Sequence, residues 1–180
     1  MIRPLNKRPN NVMAQAFESL ADAIFPDLSR DLQPYRDDPI GFSQNVLGCY
    51  LTEDQKRVMN SVVKHPYTLV ETANGIGKSF CAARIALWYA RCHIGAQVYT
   101  AAAPPENNLV SILWGEIDAA LKNASPILTE NVRKRRLNLI FGEKWWVQGL
   151  TIPTSGTASQ REAKFSGRHA PYLFFILDEA

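Results

Sequence analysis

Two short segments of the chain carry residue types that could bind and hydrolyse a nucleoside triphosphate. Residues 72–79 read Thr-Ala-Asn-Gly-Ile-Gly-Lys-Ser, and residues 174–180 read Phe-Phe-Ile-Leu-Asp-Glu-Ala. The first segment matches most of the pattern G-x-x-x-x-G-K-[ST]. In that pattern backbone N–H groups surround the phosphates, the lysine reaches the terminal phosphates and the hydroxyl binds Mg²⁺. The second segment is an apolar run that ends in two carboxylates. Together the segments predict a site for ATP and Mg²⁺.

The first segment departs from the phosphate-loop pattern at one position. Gly77, Lys78 and Ser79 match in register, whereas Thr72 stands where the first glycine is expected. Gly75 lies inside the loop and still supplies backbone freedom at positive φ. The alternative interpretation is a glycine-containing turn with a chance Gly-Lys-Ser tripeptide. The residues expected to bind the nucleotide are Thr72, Ala73, Asn74, Gly75, Ile76, Gly77, Lys78 and Ser79.

The second segment supplies the acids that such a loop requires. Residues 172–177 are apolar without a break, as in a strand buried on both faces of a parallel sheet. Such a strand delivers Asp178 to the carboxyl edge of the sheet, where ligands bind in open α/β folds. We expect Asp178 and Ser79 to hold Mg²⁺, and Glu179 to orient and deprotonate the attacking water. The alternative is an ordinary core strand that ends in two solvent-facing acids.

The elements that must position these residues follow from the hydrophobic pattern. Residues 67–70 are β-prone, and residues 80–92 contain neither glycine nor proline and predict a helix. The loop then lies at a helix N-terminus, where unpaired N–H groups and the helix dipole favour an anion. Residues 97–102 predict a second strand, and residues 106–122 an amphipathic helix.

The alternation of strands and helices predicts an α/β fold, a parallel sheet with flanking helices. Residues 137–141 and 145–152 predict a hairpin or an inserted strand pair. The adjacent Trp145 and Trp146 are expected to pack rather than to stack on bases. The remaining predictions are a helix over 12–24, a turn over 38–43, a short helix over 44–50 and a polar loop over 154–159.

Composition fits one globular domain. The chain has 180 residues, of which 46% are hydrophobic and 21% are charged. No run approaches the ~20 apolar residues of a membrane span, and the N-terminus lacks a signal-peptide core, so no membrane partner is expected. Three cysteines without a C-x-x-C pair predict reduced thiols, and the three histidines form no metal-ligand pattern.

Positive charge is concentrated in one part of the chain. The net charge is +3, but residues 121–170 hold nine Lys/Arg against three Asp/Glu. The densest run is Arg133, Lys134, Arg135 and Arg136. This run could contact DNA phosphates, which give sequence-independent affinity. An equally good alternative is a solvated charged turn or helix end.

These motifs resemble the N-terminal part of the ATPase domain of tailed-phage terminase large subunits, the motors that pump DNA into viral capsids. Terminase loops often lack the first glycine, as the loop here does. The Gly-Arg-His-Ala sequence that leads into Asp-Glu-Ala also resembles this family. The matching segments are residues 51–55, 73–79, 98–104, 113–117, 165–170 and 177–180.

The resemblance implies a RecA-like P-loop NTPase fold over residues 36–180, with residues 1–35 as an N-terminal extension. It implies an ATPase that translocates double-stranded DNA as part of a homo-oligomeric ring on a portal, with a terminase small subunit. The setting would be the cytoplasm of a bacterial host. Lys78 would bind the terminal phosphates, and Arg161 and Arg168 are candidates for the transition-state arginine.

Two roles are open for Gln55. Thr52 is a good N-cap, and Gln55 three residues later completes a capping box. The resemblance instead implies that this upstream glutamine reads the adenine base. One residue can do only one of these at a time.

The resemblance also implies a further strand, later in the sequence, between the loop strand and the acidic strand, and a C-terminal nuclease domain. Neither is found before Ala180. We therefore expect a fold incomplete at its C-terminus, truncated after the acidic motif, with unpaired backbone on two strands and with little stability or activity. The competing interpretations are a helicase-type ATPase acting on DNA or RNA, and a non-catalytic remnant that binds DNA through the basic run.

Overall fold

The computed structural model describes Ala16 and residues 31–71, 77–102, 109–130, 132–151 and 167–178. These residues form a mixed α/β fold in which helices flank a five-stranded sheet. The strands are β1 (Gln97–Ala102), β2 (Arg133–Arg135), β3 (Asn138–Gly142), β4 (Trp145–Thr151) and β5 (Leu173–Asp178). The longer helices are α1 (Glu53–Lys64), α2 (Lys78–Cys92) and α3 (Trp114–Asn123). Shorter helical segments are Gln33–Tyr35, Pro39–Gly41, Phe42–Val46, Leu109–Leu113 and Pro126–Thr129.

The sheet has the strand order β2-β3-β4-β1-β5. β1 pairs in parallel with both β4 and β5, whereas β3 is antiparallel to both of its neighbours. All six residues of β1 are buried, as expected of a central strand with side chains packed on both faces. The predicted α/β class is confirmed at this level, and the predicted parallel pairing holds for the three strands β4, β1 and β5.

α2 and α3 cover the same face of the sheet. The ring of Tyr89 in α2 stacks on Phe174 of β5 at 4.5 Å between centroids. The indole N–H of Trp114 in α3 donates to Thr100 Oγ1 of β1 at 3.0 Å. A Cβ at Gly149 of β4 would lie only 2.8 Å from that indole nitrogen, so glycine is required for α3 to approach this closely. The hydrophobic core lies between these helices and the sheet.

The structure corrects the predicted strand at residues 67–70. This stretch forms no strand, and it pairs with no other strand among the described residues. Tyr67 and Leu69 are 65% and 85% exposed. A strand gains its hydrogen bonds from a neighbour, and none of the described strands lies on the free edge of β5. The predicted loop strand over 67–70 is therefore wrong, and the expectation of unpaired backbone on two strands stays a prediction.

One helix boundary and one type of element also differ from the sequence-based predictions. Residues 39–46 are helical, where a turn over 38–43 and a helix over 44–50 were expected. The Asp38 side chain accepts the Gly41 N–H at 2.8 Å, and Pro39 occupies the first helical position, so the helix begins earlier. The basic run at Arg133–Arg135 is a strand, not a turn or a helix end.

The predicted acidic-motif strand matches β5, but it is not buried on both faces, since its other residues are half-buried and Leu177 is 56% exposed. Most of the other element predictions are confirmed. The predicted strand over 97–102 matches β1, and the predicted hairpin matches β3 and β4. Trp145 is buried and donates its indole N–H to the Ala90 carbonyl at 2.5 Å, which confirms its packing role. The predicted helix over 12–24, apart from Ala16, and the loop over 154–159 lie outside the described residues. None of the helices in the described ranges is both long enough and apolar enough to cross a membrane.

Candidate functional site

The structure brings the two sequence motifs into contact. Ser79 lies in the first turn of α2, and Asp178 is the last residue of β5. The Ser79 hydroxyl donates to Asp178 Oδ2 at 3.1 Å across 99 positions of sequence. Asp178 is paired with Ala102 at the carboxyl ends of the parallel strands β5 and β1, which is the sheet edge predicted for it. Both side chains are half-buried.

The N-terminus of α2 has the local features of an anion site. Its N-cap, Gly77, has φ +84°, a left-handed conformation that favours glycine. Lys78 is the first helical residue and is half-buried, and the first turn contains no acidic residue. The N-terminal position of the turn and the helix dipole both favour a negative ligand here. These features suit a negatively charged group such as a phosphate.

The Ser79–Asp178 pair has donor atoms that suit Mg²⁺. A hydroxyl oxygen and a carboxylate oxygen lie together at the positive end of α2. Mg²⁺ binds through oxygen and usually keeps several waters, with one or two protein oxygens and substrate phosphates as its other ligands. Within the described ranges no cluster of three or more His, Cys, Asp or Glu side chains could hold a metal. A two-residue magnesium site shared with phosphates needs no such cluster.

Gln55 forms the predicted capping box. Its Oε1 accepts the Thr52 N–H at 3.0 Å, and its own N–H donates to Thr52 Oγ1 at 3.3 Å. The other end of the side-chain amide faces α2, because a Cβ built on Gly77 would lie 2.8 Å from Gln55 Nε2. The Cys81 thiol also approaches the Gln55 carbonyl oxygen at 3.9 Å. The first turn of α1 therefore lies directly against the start of α2. The capping role is confirmed, while adenine reading stays a prediction.

Arg168 lies on the opposite face of the sheet from the Ser79–Asp178 pair. Its guanidinium lies over the Tyr99 ring at 4.0 Å from the centroid, and Tyr99 stacks on Phe175 at 5.4 Å. Because side chains alternate along a strand, Phe175 faces away from α2, whereas Asp178 faces toward it. The structure does not bring Arg168 to the pair, and its role as a transition-state arginine stays a prediction.

Seven of the predicted site residues lie outside the described residues. They are Thr72, Ala73, Asn74, Gly75, Ile76, Arg161 and Glu179. The site that can be described therefore comprises the end of the loop, the first turn of α2, the start of α1 and the end of β5.

A buried ion pair beside the site was not foreseen from the sequence. Arg84 of α2 is 5% exposed, and its Nη1 donates to Glu116 Oε2 of α3 at 2.6 Å. Its guanidinium also lies 3.5 Å from the centroid of the Phe80 ring. Burial raises the pKa of the neighbouring Cys81 thiol to about 12, although Arg84 acts in the opposite direction. A charged residue in a helical pattern normally indicates the exposed face, so the sequence offered no signal for this contact.

The basic run is divided between the two faces of the sheet. Lys134 forms an ion pair of 2.5 Å with Asp118 of α3, which places it on the face that α3 covers. Strand alternation then directs Arg133 and Arg135 to the other face, where both are exposed. These two arginines are carried by an edge strand.

No protein-family model, curated protein or solved structure matches this chain. The geometry joins Ser79, Asp178, Gly77 and Gln55 at one edge of the sheet.

Proposed function

We propose that this chain is the ATPase part of a DNA-packaging motor subunit of the terminase large-subunit type, with a P-loop NTPase fold. The observation that carries the proposal is the hydrogen bond between Ser79 and Asp178. The two residues come from motifs that were selected separately in the sequence, and an ATPase requires that they meet. A chance glycine-lysine-serine turn and an unrelated acidic strand end would have no reason to converge.

In this proposal the described residues bind and orient the nucleotide. Lys78 and the N–H groups at the start of α2 hold the terminal phosphates, and Ser79 and Asp178 hold Mg²⁺. Mg²⁺, when bound, neutralises charge that develops on the phosphates. Glu179, the residue after Asp178, orients and deprotonates the attacking water. The transition-state arginine is Arg161, Arg168 or a residue of a neighbouring subunit.

The DNA-translocating part of the proposal is supported by the basic edge strand and by the motif resemblance. Exposed Arg133 and Arg135 can contact phosphates of double-stranded DNA without regard to sequence. The Gly-Arg-His-Ala sequence at 167–170 favours a terminase over a helicase-type ATPase. A homo-oligomeric ring on a portal, a small-subunit partner and the cytoplasm of a bacterial host belong to the same proposal.

The decisive experiment is an isothermal calorimetric titration of the 180-residue chain with ATP, in the presence and in the absence of Mg²⁺. We expect binding that requires Mg²⁺, and we expect Asp178→Asn to weaken it by about tenfold or more, because a charged ligand oxygen is removed. Lys78→Ala should also weaken this magnesium-dependent binding, because a cation that contacts the terminal phosphates is removed. Lys64→Ala and Asp37→Asn, which change exposed residues of the same types, serve as matched controls.

Equal ATP affinity in the unsubstituted chain, Lys78→Ala and Asp178→Asn would refute the nucleotide site. DNA binding that persists without any ATP binding would instead favour the second candidate, a non-catalytic DNA-binding protein. The exposed arginines of β2 are the specific observation behind that candidate.

A further inference from the structure

The side-chain amide of Gln55 lies between two elements and has a fixed orientation. Its oxygen accepts the Thr52 N–H at the start of α1 at 3.0 Å. Its nitrogen faces the N-cap of α2, so close to Gly77 that any Cβ there would be 2.8 Å away. Since an amide has its oxygen and nitrogen on opposite sides, the capping bond decides which atom faces the phosphate loop.

Gly77 is the backbone position on which the geometry of the loop end depends. Its φ of +84° allows the chain to turn into α2, and its missing side chain leaves room for Gln55. The N–H groups that follow Gly77 are those expected to face phosphate. A group packed against Gly77 therefore limits the directions in which these N–H groups can move.

A second contact connects the same two elements. The Cys81 thiol, one turn into α2, approaches the backbone oxygen of Gln55 at 3.9 Å. Gln55 thus contacts α2 through both its side chain and its backbone. This is the arrangement of a residue that supports the loop, and it leaves the amide poorly placed to read a base.

Reading adenine with a glutamine requires both ends of the amide. The oxygen accepts from the exocyclic amine and the nitrogen donates to N7. In this structure the oxygen accepts the Thr52 N–H and the nitrogen faces Gly77, so the amide would have to break its bond to Thr52 to turn toward a base. The capping box and base reading therefore compete for one side chain.

We infer that Gln55 is a positioning residue for the phosphate loop, which raises affinity for the phosphate chain of any nucleotide and does not select the base. The inference depends on the proposed nucleotide site. The substrate class that follows is the magnesium complex of a polyphosphate, with the base recognised elsewhere or weakly. Gln55 acts through Gly77 and the N–H groups beyond it.

The test compares three probes, Mg-ATP, Mg-GTP and Mg-tripolyphosphate, the last of which has no base. Gln55→Glu keeps the oxygen that caps α1 but places a carboxylate beside the loop. Gln55→Ala removes both ends of the amide. Thr52→Ala removes the capping hydroxyl and leaves the backbone N–H that orients Gln55, so it is the matched control for reduced helix stability. Circular dichroism verifies that each variant is folded.

We expect both Gln55 variants to bind all three probes about tenfold more weakly, with the ratios among the probes unchanged. Thr52→Ala should lower the melting temperature without changing any of the three affinities. The Gln55→Glu defect should also shrink as the pH falls and its carboxylate becomes protonated, whereas the Gln55→Ala defect should not. This difference in pH profile would show that position 55 lies near the bound phosphates, and the unchanged ratios among the probes would show that Gln55 does not select the base.

A weaker affinity for Mg-ATP alone, with Mg-tripolyphosphate unaffected, would overturn the inference and establish Gln55 as a base reader. Unchanged affinity for all three probes would also overturn it. In both cases weaker binding by Lys78→Ala would leave the nucleotide site itself intact. No binding of any probe by the unsubstituted chain would overturn the nucleotide site and the inference together.

Discussion

Two arginines of α2 are buried, although arginine is among the residues most often found in solvent. Arg84 is 5% exposed and Arg91 is 3% exposed. Arg91 donates to the Ile127 carbonyl at 2.6 Å, and burial lowers its pKa to about 10. Arg84 has a carboxylate partner, Glu116. The stability of a buried cation depends on keeping its partner, so the two arginines should respond differently to substitution nearby.

We expect Glu116→Ala to lower the free energy of unfolding by about 2 kcal/mol, because Arg84 is left buried without its carboxylate. The value lies below the range of about 3–5 kcal/mol for fully buried pairs, since the Glu116 side chain is 36% exposed and water can partly replace it. Urea unfolding monitored by circular dichroism measures the change. Glu53→Ala, which breaks the exposed pair with Lys56, is the control and should change the free energy of unfolding much less. Equal effects of the two substitutions would contradict the assignment.

At the scale of elements, the sequence predicts those parts whose pattern is local. The boundaries of β1 follow from its local composition, and the capping box of α1 follows from the Thr52–Gln55 spacing. Residues 67–70 have the composition of a strand, but strand formation also requires a partner, which composition does not reveal. β2 was missed for the opposite reason. Its residues are all charged, and only pairing with β3 makes them a strand.

In the candidate site, too, contacts that follow from local motifs were predicted, whereas contacts that depend on tertiary packing were not. The contact between Ser79 and Asp178 was predicted because both residues belong to motifs whose strand and helix context was recognisable. The proximity of Gln55 to Gly77 was not predicted, since it depends on how α1 packs against α2. The position of Arg168 over Tyr99 depends likewise on the path of the chain before β5. Tertiary packing of this kind has no periodicity in the sequence.

The edge strand β2 gives a prediction about DNA. We expect Arg133→Ala with Arg135→Ala to make the dependence of log affinity on log salt shallower by about one unit for each phosphate that the variant no longer neutralises. Lys134→Ala is the matched control, because its ammonium group is already paired with Asp118 on the other face. Fluorescence anisotropy of a labelled DNA duplex across a salt series measures the slope. A larger effect from Lys134→Ala than from the two arginines would show that DNA does not bind the face that carries them.

At the scale of the whole molecule, burial of thiols makes stability depend on pH. Burial raises the pKa of Cys81 from 9.0 to about 12, and it also raises the pKa of Cys92. Between pH 9.0 and about pH 12 the Cys81 thiol keeps its proton in the folded protein, whereas the same thiol releases it in the unfolded chain. The unfolded state then binds fewer protons, so stability falls as pH rises above 9.

We expect the free energy of unfolding to fall between about pH 8 and pH 10 by about 1.4 kcal/mol for each of the two buried thiols. Cys81→Ala should make this slope shallower, and Cys49, whose pKa is also raised by burial, contributes to the slope that is left. Urea unfolding at several pH values measures it. The range ends at pH 10 because Arg91, whose pKa is lowered to about 10, contributes with the opposite sign above it. A flat profile would show that the thiols are accessible to water.

Ser79 and Asp178 are 99 residues apart, and this separation determines when during synthesis the site can form. At about 5–20 residues per second, α2 leaves the ribosome some 5–20 s before β5 follows it. During that interval the Ser79 hydroxyl cannot meet its carboxylate, and the closure of so long a loop is opposed by chain entropy. A nucleotide that binds only the completed site would therefore affect the protein only after folding. It would slow the unfolding step in which β5 leaves the sheet, and it would not speed the folding of the chain.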